Sequence, residues 1–224
     1  MNRICSKTDR THLISPPKGF TLQEAVQLQE RCRKMVRRGD NHLGEVRFVT
    51  GLDSAYESDR AFGAAVTLDL ETMEAEDVGT AVVKVEFPYI PGLLAFREAP
   101  AIIAAAKNLR RPPDAYLVDG QGYAHPRRFG LASHVGVALN TPTIGVAKSR
   151  LCGTVLGSRL IDRGRTIGAI VPKPSGKLLY VSVGHRISLR DSIRVVTRCL
   201  RAAPNDPIGL AHREADKVRR RISR

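Results

Sequence analysis

The chain has 224 residues, 42% of them hydrophobic, with no apolar run of about 18 residues, which fits one domain with a substantial core and excludes a membrane-spanning helix. Thirty-six Lys and Arg stand against 22 Asp and Glu, a formal net charge of +14, so the favoured partner is a polyanion, nucleic acid first; a merely solvated basic surface is the plainer alternative. Cys5, Cys32, Cys152 and Cys199 are far apart and form no CxxC pair, which speaks against a disulfide framework or a zinc site, and the N-terminus has no apolar signal core, so a cytoplasmic location is expected.

Residues 1–19 read as a flexible leader, broken by Pro16, Pro17 and Gly19. Thr21-x-x-Glu24 is a capping-box signature. Behind it Leu22, Ala25, Val26, Gln29, Cys32 and Val36 fall on one helical face, ending at Gly39. The other face carries Arg31, Arg33, Lys34, Arg37 and Arg38, either a solvated face or a phosphate contact. Strands are predicted over Val46–Ser54, Phe62–Leu68 and Val78–Glu86, with links short enough for an antiparallel meander. Asp53 closes the first of them. Next, Pro88 and Pro91 bracket Tyr89 and Ile90 in a stiff loop. Its two large side chains either wedge into stacked bases or pack into the core. Glu98 is placed in the first turn of the following helix, which runs to Leu109 and stops at RRPP.

The stretch from Asp114 to Arg150 organises the rest. An apolar run ends in Asp119, a glycine-bracketed turn leads to His125, a helical segment follows, and a second apolar run ends in Lys148. Strand, charged turn, helix, strand is a βαβ unit, whose ligands sit at the carboxyl ends of the strands. Beyond it, Gly153–Leu160, Arg165–Val171 and Leu178–Val183 read as strands. Ser188-x-x-Asp191 opens a helix through Leu200, and Ile208–Arg221 forms a last helix carrying His212.

If the first and fourth strands are parallel neighbours, Asp53 and Asp119 end side by side. Three antiparallel strands followed by βαβ, with helices on both faces of a mixed α/β sheet, is the ribonuclease H-like arrangement. In it paired carboxylates hold Mg²⁺, a hard cation satisfied by two or three oxygen ligands and its own waters.

The local text is more specific than the acids alone. GLDSAY (51–56), PYIPGLLAFRE (88–98), DGQGYAHPRRFGLASHVG (119–136) and PTIGVAKSRLCG (142–153) occur in order, and together they closely resemble the endonuclease V family. The resemblance spans roughly residues 20–215 and implies a single catalytic domain over 20–224. It also implies a Mg²⁺-dependent endonuclease, with Mn²⁺ substituting, that recognises inosine in DNA or RNA, cuts the second phosphodiester bond on its 3′ side and so initiates repair. Asp53, Glu98 and Asp119 match the family's metal-site acids, and His125, Lys148 and His212 its other catalytic-site residues. Pro88, Tyr89, Ile90 and Pro91 match the strand-separating wedge; Gly92, Leu94, Gly120 and Ala147 match the pocket for the extruded base. The chain departs from the pattern at Gln121, where relatives often carry His or Asn, and in PIGLAH before His212, where many carry an arginine. A monomer is expected. The competing readings are another ribonuclease H-like nuclease and a basic nucleic-acid-binding protein without catalysis.

Overall fold

The computed structural model describes Arg10 and residues 19–39, 43–203 and 205–222; most of the 1–19 leader therefore lies outside the described residues. Its centre is a nine-stranded sheet in the order β3-β2-β1-β4-β5-β9-β8-β7-β6. The meander is β1 (Phe48–Glu57), β2 (Arg60–Asp69) and β3 (Ala75–Lys84), antiparallel throughout. β4 (Ala115–Asp119) runs parallel to β1, and β5 (Thr143–Ala147) parallel to β4, the topology expected from the sequence. β9 (Leu178–His185) then reverses direction beside β5 and is followed outward by β8 (Arg165–Pro172), β7 (Arg159–Asp162) and β6 (Thr154–Leu156). The expected single strand over 153–160 is instead the β6–β7 hairpin, because Gly157, at φ 59°, turns the chain.

Helices cover both faces. α1 (Leu22–Arg33), α2 (Leu94–Lys107) and α3 (Leu131–Leu139) bury one core with Leu52, Ala65, Tyr116 and Val118 of the sheet. α4 (Leu189–Cys199) and α5 (Pro207–Ile222) bury the other with Val49, Leu117, Ile144 and Val181. Each fully buried Leu, Ile or Phe in these layers contributes roughly 1.5–3 kcal/mol. At the start of α1, Thr21 Oγ1 accepts the Glu24 N–H at 3.2 Å and the Glu24 carboxylate accepts the Thr21 N–H at 2.7 Å, the capping box read from the sequence. Two details of that helix differ from expectation. It ends at Arg33, six residues before Gly39, and Leu22 in its first turn is 56% exposed, so burial begins at Ala25. Among the described residues no helix is long and apolar enough to cross a membrane.

Candidate functional site

The parallel pairing of β1 with β4 sets Leu52 opposite Val118, so the next residues along, Asp53 and Asp119, stand side by side. β4 stops there; β1 continues to Glu57 in its pairing with β2, so Asp53 lies inside a strand and not at its end. The β1–β4 pairing ends at Leu52 and Val118, and the two acids stand just beyond it, at the carboxyl edge of the parallel strands.

Two glycines let helices descend onto this edge from opposite faces. A Cβ on Gly51 would lie 2.0 Å from the Pro207 carbonyl oxygen, so only glycine lets the first turn of α5 rest on β1. That contact brings His212, five residues further along α5, over Asp53, with Nδ1 2.8 Å from Oδ2. On the other face a Cβ on Gly63 would lie 2.2 Å from the Ala101 carbonyl oxygen, which seats α2 on β2. Glu98 is the fifth residue of α2 and so belongs to its second turn, not its first; the helix starts at Leu94, and the placement expected from the helix dipole does not hold. Pro100 likewise lies inside the helix.

The electrostatics show how close these acids are. Burial first, then the charges of Asp53 and Asp119, push the Glu98 carboxyl up to about 8. Burial and the Asp119 charge also raise Asp53, against the hydrogen bonds from His212 and the Ser54 N–H. Lys148, at the end of β5, places Nζ 2.5 Å from Asp119 Oδ2. Burial pulls its ammonium down, but the Asp119 hydrogen bond and the charges of Asp119, Asp53 and Asp206 more than offset this and hold it above its ordinary value. Asp119, Lys148 and His212 line a cleft of about 540 Å³ that continues past Lys173 and Tyr180.

Three carboxylates, half-buried and mutually repelling, are a donor set suited to a hard divalent cation that retains water. Among the described residues no group of three or more His, Cys, Asp or Glu side chains is arranged to hold a metal ion, and Lys148 and His212 each occupy one carboxylate oxygen.

The remaining expected residues form a second group beside the first. His125 is buried, hydrogen-bonded to the Arg127 N–H and the Gly92 backbone, and burial with the Arg127 charge lowers it to about 4. It therefore faces Gly92. The loop before Gly92 is divided: Tyr89 is 69% exposed, whereas Ile90 packs against the core. Leu94 is half-buried, and Gly120 and Ala147 follow and end the two parallel strands β4 and β5. Gln121 is buried and donates from Nε2 to the Ser149 carbonyl at 2.9 Å.

Residues outside the expected set hold this second group. Gln29 of α1 donates to the Gly92 and Phe129 carbonyls at 3.1 and 2.8 Å, while its own side-chain oxygen accepts from Arg127 Nε. Arg127 Nη2 also donates to Gly92 O at 2.7 Å. A glutamine on an otherwise apolar helical face was the signal available in the sequence. Tyr56 was missed as well: its phenol is raised by burial and by Glu98, and Arg97 lies 5.0 Å over its ring.

Residues 12–214 match the family model described as Endonuclease V. The chain is 42% identical over 189 residues to the endonuclease V of Roseiflexus sp. (strain RS-1), covering 80% of this chain and 85% of that protein. The crystal structure of endonuclease V from Streptomyces avermitilis is 39% identical and superposes with a TM-score of 0.77, covering 93% of this chain and 96% of that one. A second structure, Ciona intestinalis endonuclease V in complex with a 24mer DNA containing an inosine followed by a ribo-adenosine, is 31% identical with a TM-score of 0.76 over 90% and 98% of the two chains. With its ribonuclease H-like fold and this extent of identity, the chain belongs to the endonuclease V family of nucleases.

Proposed function

We propose that the chain is a divalent-cation-dependent endonuclease that binds inosine-bearing nucleic acid and hydrolyses the second phosphodiester bond 3′ to the inosine. The observation that carries this reading is the convergence of Asp53, Asp119 and Glu98, from two strands and a helix, on one sheet edge, where burial and then their mutual repulsion hold Asp53 and Glu98 above their ordinary pKa values. Such carboxylates are costly for the fold alone and gain their missing partner from a cation. Asp53, Asp119 and Glu98 would hold Mg²⁺, with Mn²⁺ an adequate substitute. When bound, the cation polarises the scissile phosphate and makes water a better nucleophile.

The chain's own residues supply the rest. Released from Asp119, Lys148 would present a compact positive charge to a non-bridging phosphate oxygen. His212 orients Asp53 through its Nδ1 contact. The Pro88–Pro91 loop would separate strands by lodging Tyr89 in the stack, with Ile90 as its anchor in the core. Gly92, Leu94, Gly120 and Ala147 would line the pocket for the extruded base, and His125, neutral over the physiological range, would support Gly92 and face the phosphate beside it. The Ciona complex, in which a protein of the same family is bound to inosine-containing DNA, supports this choice of substrate.

The deciding experiment is a cleavage assay on a labelled oligonucleotide with one inosine, with and without Mg²⁺, beside an inosine-free control and an RNA version. A cation-dependent cut one nucleotide beyond the inosine is expected, and the ratio of the two rates assigns DNA or RNA as the main substrate. Tight, cation-independent binding with no cut on either strand would show a binding protein instead.

A further inference from the structure

A second charged feature lies away from the carboxylates. The end of α1, the loop after β4 and the β7–β8 turn enclose a cleft of about 630 Å³. Its charged lining, among the described residues, is Arg33, Lys34, Arg38, Arg128, Arg163 and Arg165 against the single carboxylate of Asp162. That carboxylate is already ion-paired with Arg128. Arg33, Lys34, Arg38, Arg163 and Arg165 are all exposed. Like charges gathered within a Debye length, about 8 Å at physiological salt, repel one another unless an anion lies among them.

The backbone takes unusual conformations to arrange them. The β7–β8 connection is a two-residue hairpin, Asp162 pairing with Arg165, and its tip has Arg163 at φ 50° and Gly164 at φ 71°. Such a turn favours Asn-Gly or Asp-Gly; arginine at its first position is disfavoured by its Cβ. Arg128 also sits in the left-handed region, at φ 59°, and donates to the His125 carbonyl at 3.1 Å. Arg38 Cζ lies over the Tyr123 ring, 3.7 Å from its centroid. A guanidinium placed over an aromatic ring can still offer N–H groups for bidentate bonding to phosphate oxygens.

The sheet register gives the distance to the carboxylates. Asp119 aligns with Val146, Val146 with Val181 and Val181 with Ala169; Arg165 lies four residues back along β8 from Ala169. Three strand spacings across and four residues along amount to roughly 20 Å. At 3.4 Å per nucleotide along one strand, that is about six nucleotides. A small phosphorylated ligand would fill either place alone; a polymer of phosphates spans both.

We infer that this cleft is a second phosphodiester track, holding the part of the substrate strand that flanks the inosine by about six nucleotides. The inference rests on the proposed function for the identity of that strand. Its test compares wild type with a Lys34→Gln/Arg163→Asn/Arg165→Gln variant on single-stranded inosine oligonucleotides with flanks of about 4 or about 15 nucleotides. On the long substrate the variant's KM should rise about tenfold, and the slope of log affinity against log salt should fall by about 2, close to 0.7 for each lost contact. On the short substrate kcat/KM should stay within about twofold. Equal losses on both lengths, or none on either, would overturn the inference. Arg163→Asn alone gives the turn a better residue, so Tm should hold or rise while only the long substrate is bound more weakly. A lower Tm with loss on both lengths would mean that Arg163 is structural and would equally overturn it. If the wild type cuts no inosine substrate, the proposed function fails by itself; the length dependence of binding, read by fluorescence anisotropy without Mg²⁺, still tests the cleft.

Discussion

The β-meander carries acids of two kinds. Asp69, which ends β2, is 1% exposed and receives Arg47 Nη2 at 2.8 Å, Arg47 Nε at 3.0 Å and the Glu71 N–H at 2.8 Å. The Arg47 hydrogen bonds hold its carboxyl below the usual range. Asp77 in β3 accepts hydrogen bonds from the Arg110 backbone N–H at 2.7 Å and from its Nε at 3.1 Å. Asp53, inside β1, has only a histidine and one backbone N–H against its burial and the charge of Asp119, and its carboxyl is raised. Arginine forks compensate the acids that serve the architecture. The acids at the carboxyl edge are left under-compensated, and that deficit is what a cation relieves.

The largest expected effect separates these two kinds. Asp119→Ala should lower cleavage by ~10³-fold or more while lesion binding persists, since the acid acts on the reacting phosphate. It should also hold or raise Tm, because it removes a repelling charge. Asp69→Ala should do the reverse, lowering Tm with the rate on bound substrate unchanged. Single-turnover kinetics and thermal melts on both variants check this; a melting loss in Asp119→Ala without a rate loss would erase the distinction. Lys148→Ala comes next. If Lys148 leaves Asp119 for the phosphate, its removal should slow the chemical step by about 10²-fold, as loss of one transition-state contact does. An unchanged single-turnover rate constant would leave Lys148 a compensating charge for Asp119 and nothing more.

A third kind of buried ionisable group has no charged partner at all. His134 of α3 packs edge-on to Phe96 at 5.2 Å, and its Nδ1 has no hydrogen-bond partner among the described residues. Burial lowers it from 6.5 to about 3. The unfolded chain therefore binds more protons than the folded one between these values. Stability is full above about pH 6.5 and is lost as pH falls toward 3, on the order of 2 kcal/mol by pH 5 from this residue alone. His134→Leu should flatten the acid limb of a Tm-against-pH profile; an unchanged limb would place acid sensitivity elsewhere, with His185, also lowered to about 4, the next candidate.

What the sequence made legible follows from range. Strand ends and turns are local, so Asp119 and Lys148 were placed at one edge from an apolar run followed by a charge, and the structure joins them by an ion pair. Asp53 could be set beside Asp119 only by assuming the β1–β4 pairing, which the register bears out. Glu98 was placed in the first turn of its helix, but the helix already begins at Leu94, four residues before it. The seats of α2 and α5 were not legible. Gly51 and Gly63 look like any strand glycine until a helix carbonyl is found where a Cβ would stand. The cationic cleft was legible only in part. Arg33, Lys34 and Arg38 were read as a possible phosphate face, but Arg163 and Arg165, which complete it, lie far along the chain.

Tyr89 and Ile90 repeat the contrast without charge. They are neighbours in one proline-bracketed loop, yet Ile90 packs on the core beside α2 and Tyr89 is 69% exposed. An isolated exposed tyrosine needs no function; one at the tip of a stiff loop is positioned at little entropic cost to enter a base stack. The loop is also anchored from behind, since the Gly92 carbonyl accepts from both Gln29 and Arg127. Tyr89→Ala should therefore leave Tm unchanged and weaken discrimination for inosine over plain duplex by several-fold, about 1 kcal/mol for one stacking contact. Ile90→Ala should lower Tm first and discrimination only secondarily. Equal loss of affinity for inosine and plain duplex in Tyr89→Ala would make the tyrosine a general contact, and the wedge would then have to be sought in Pro88 and Pro91.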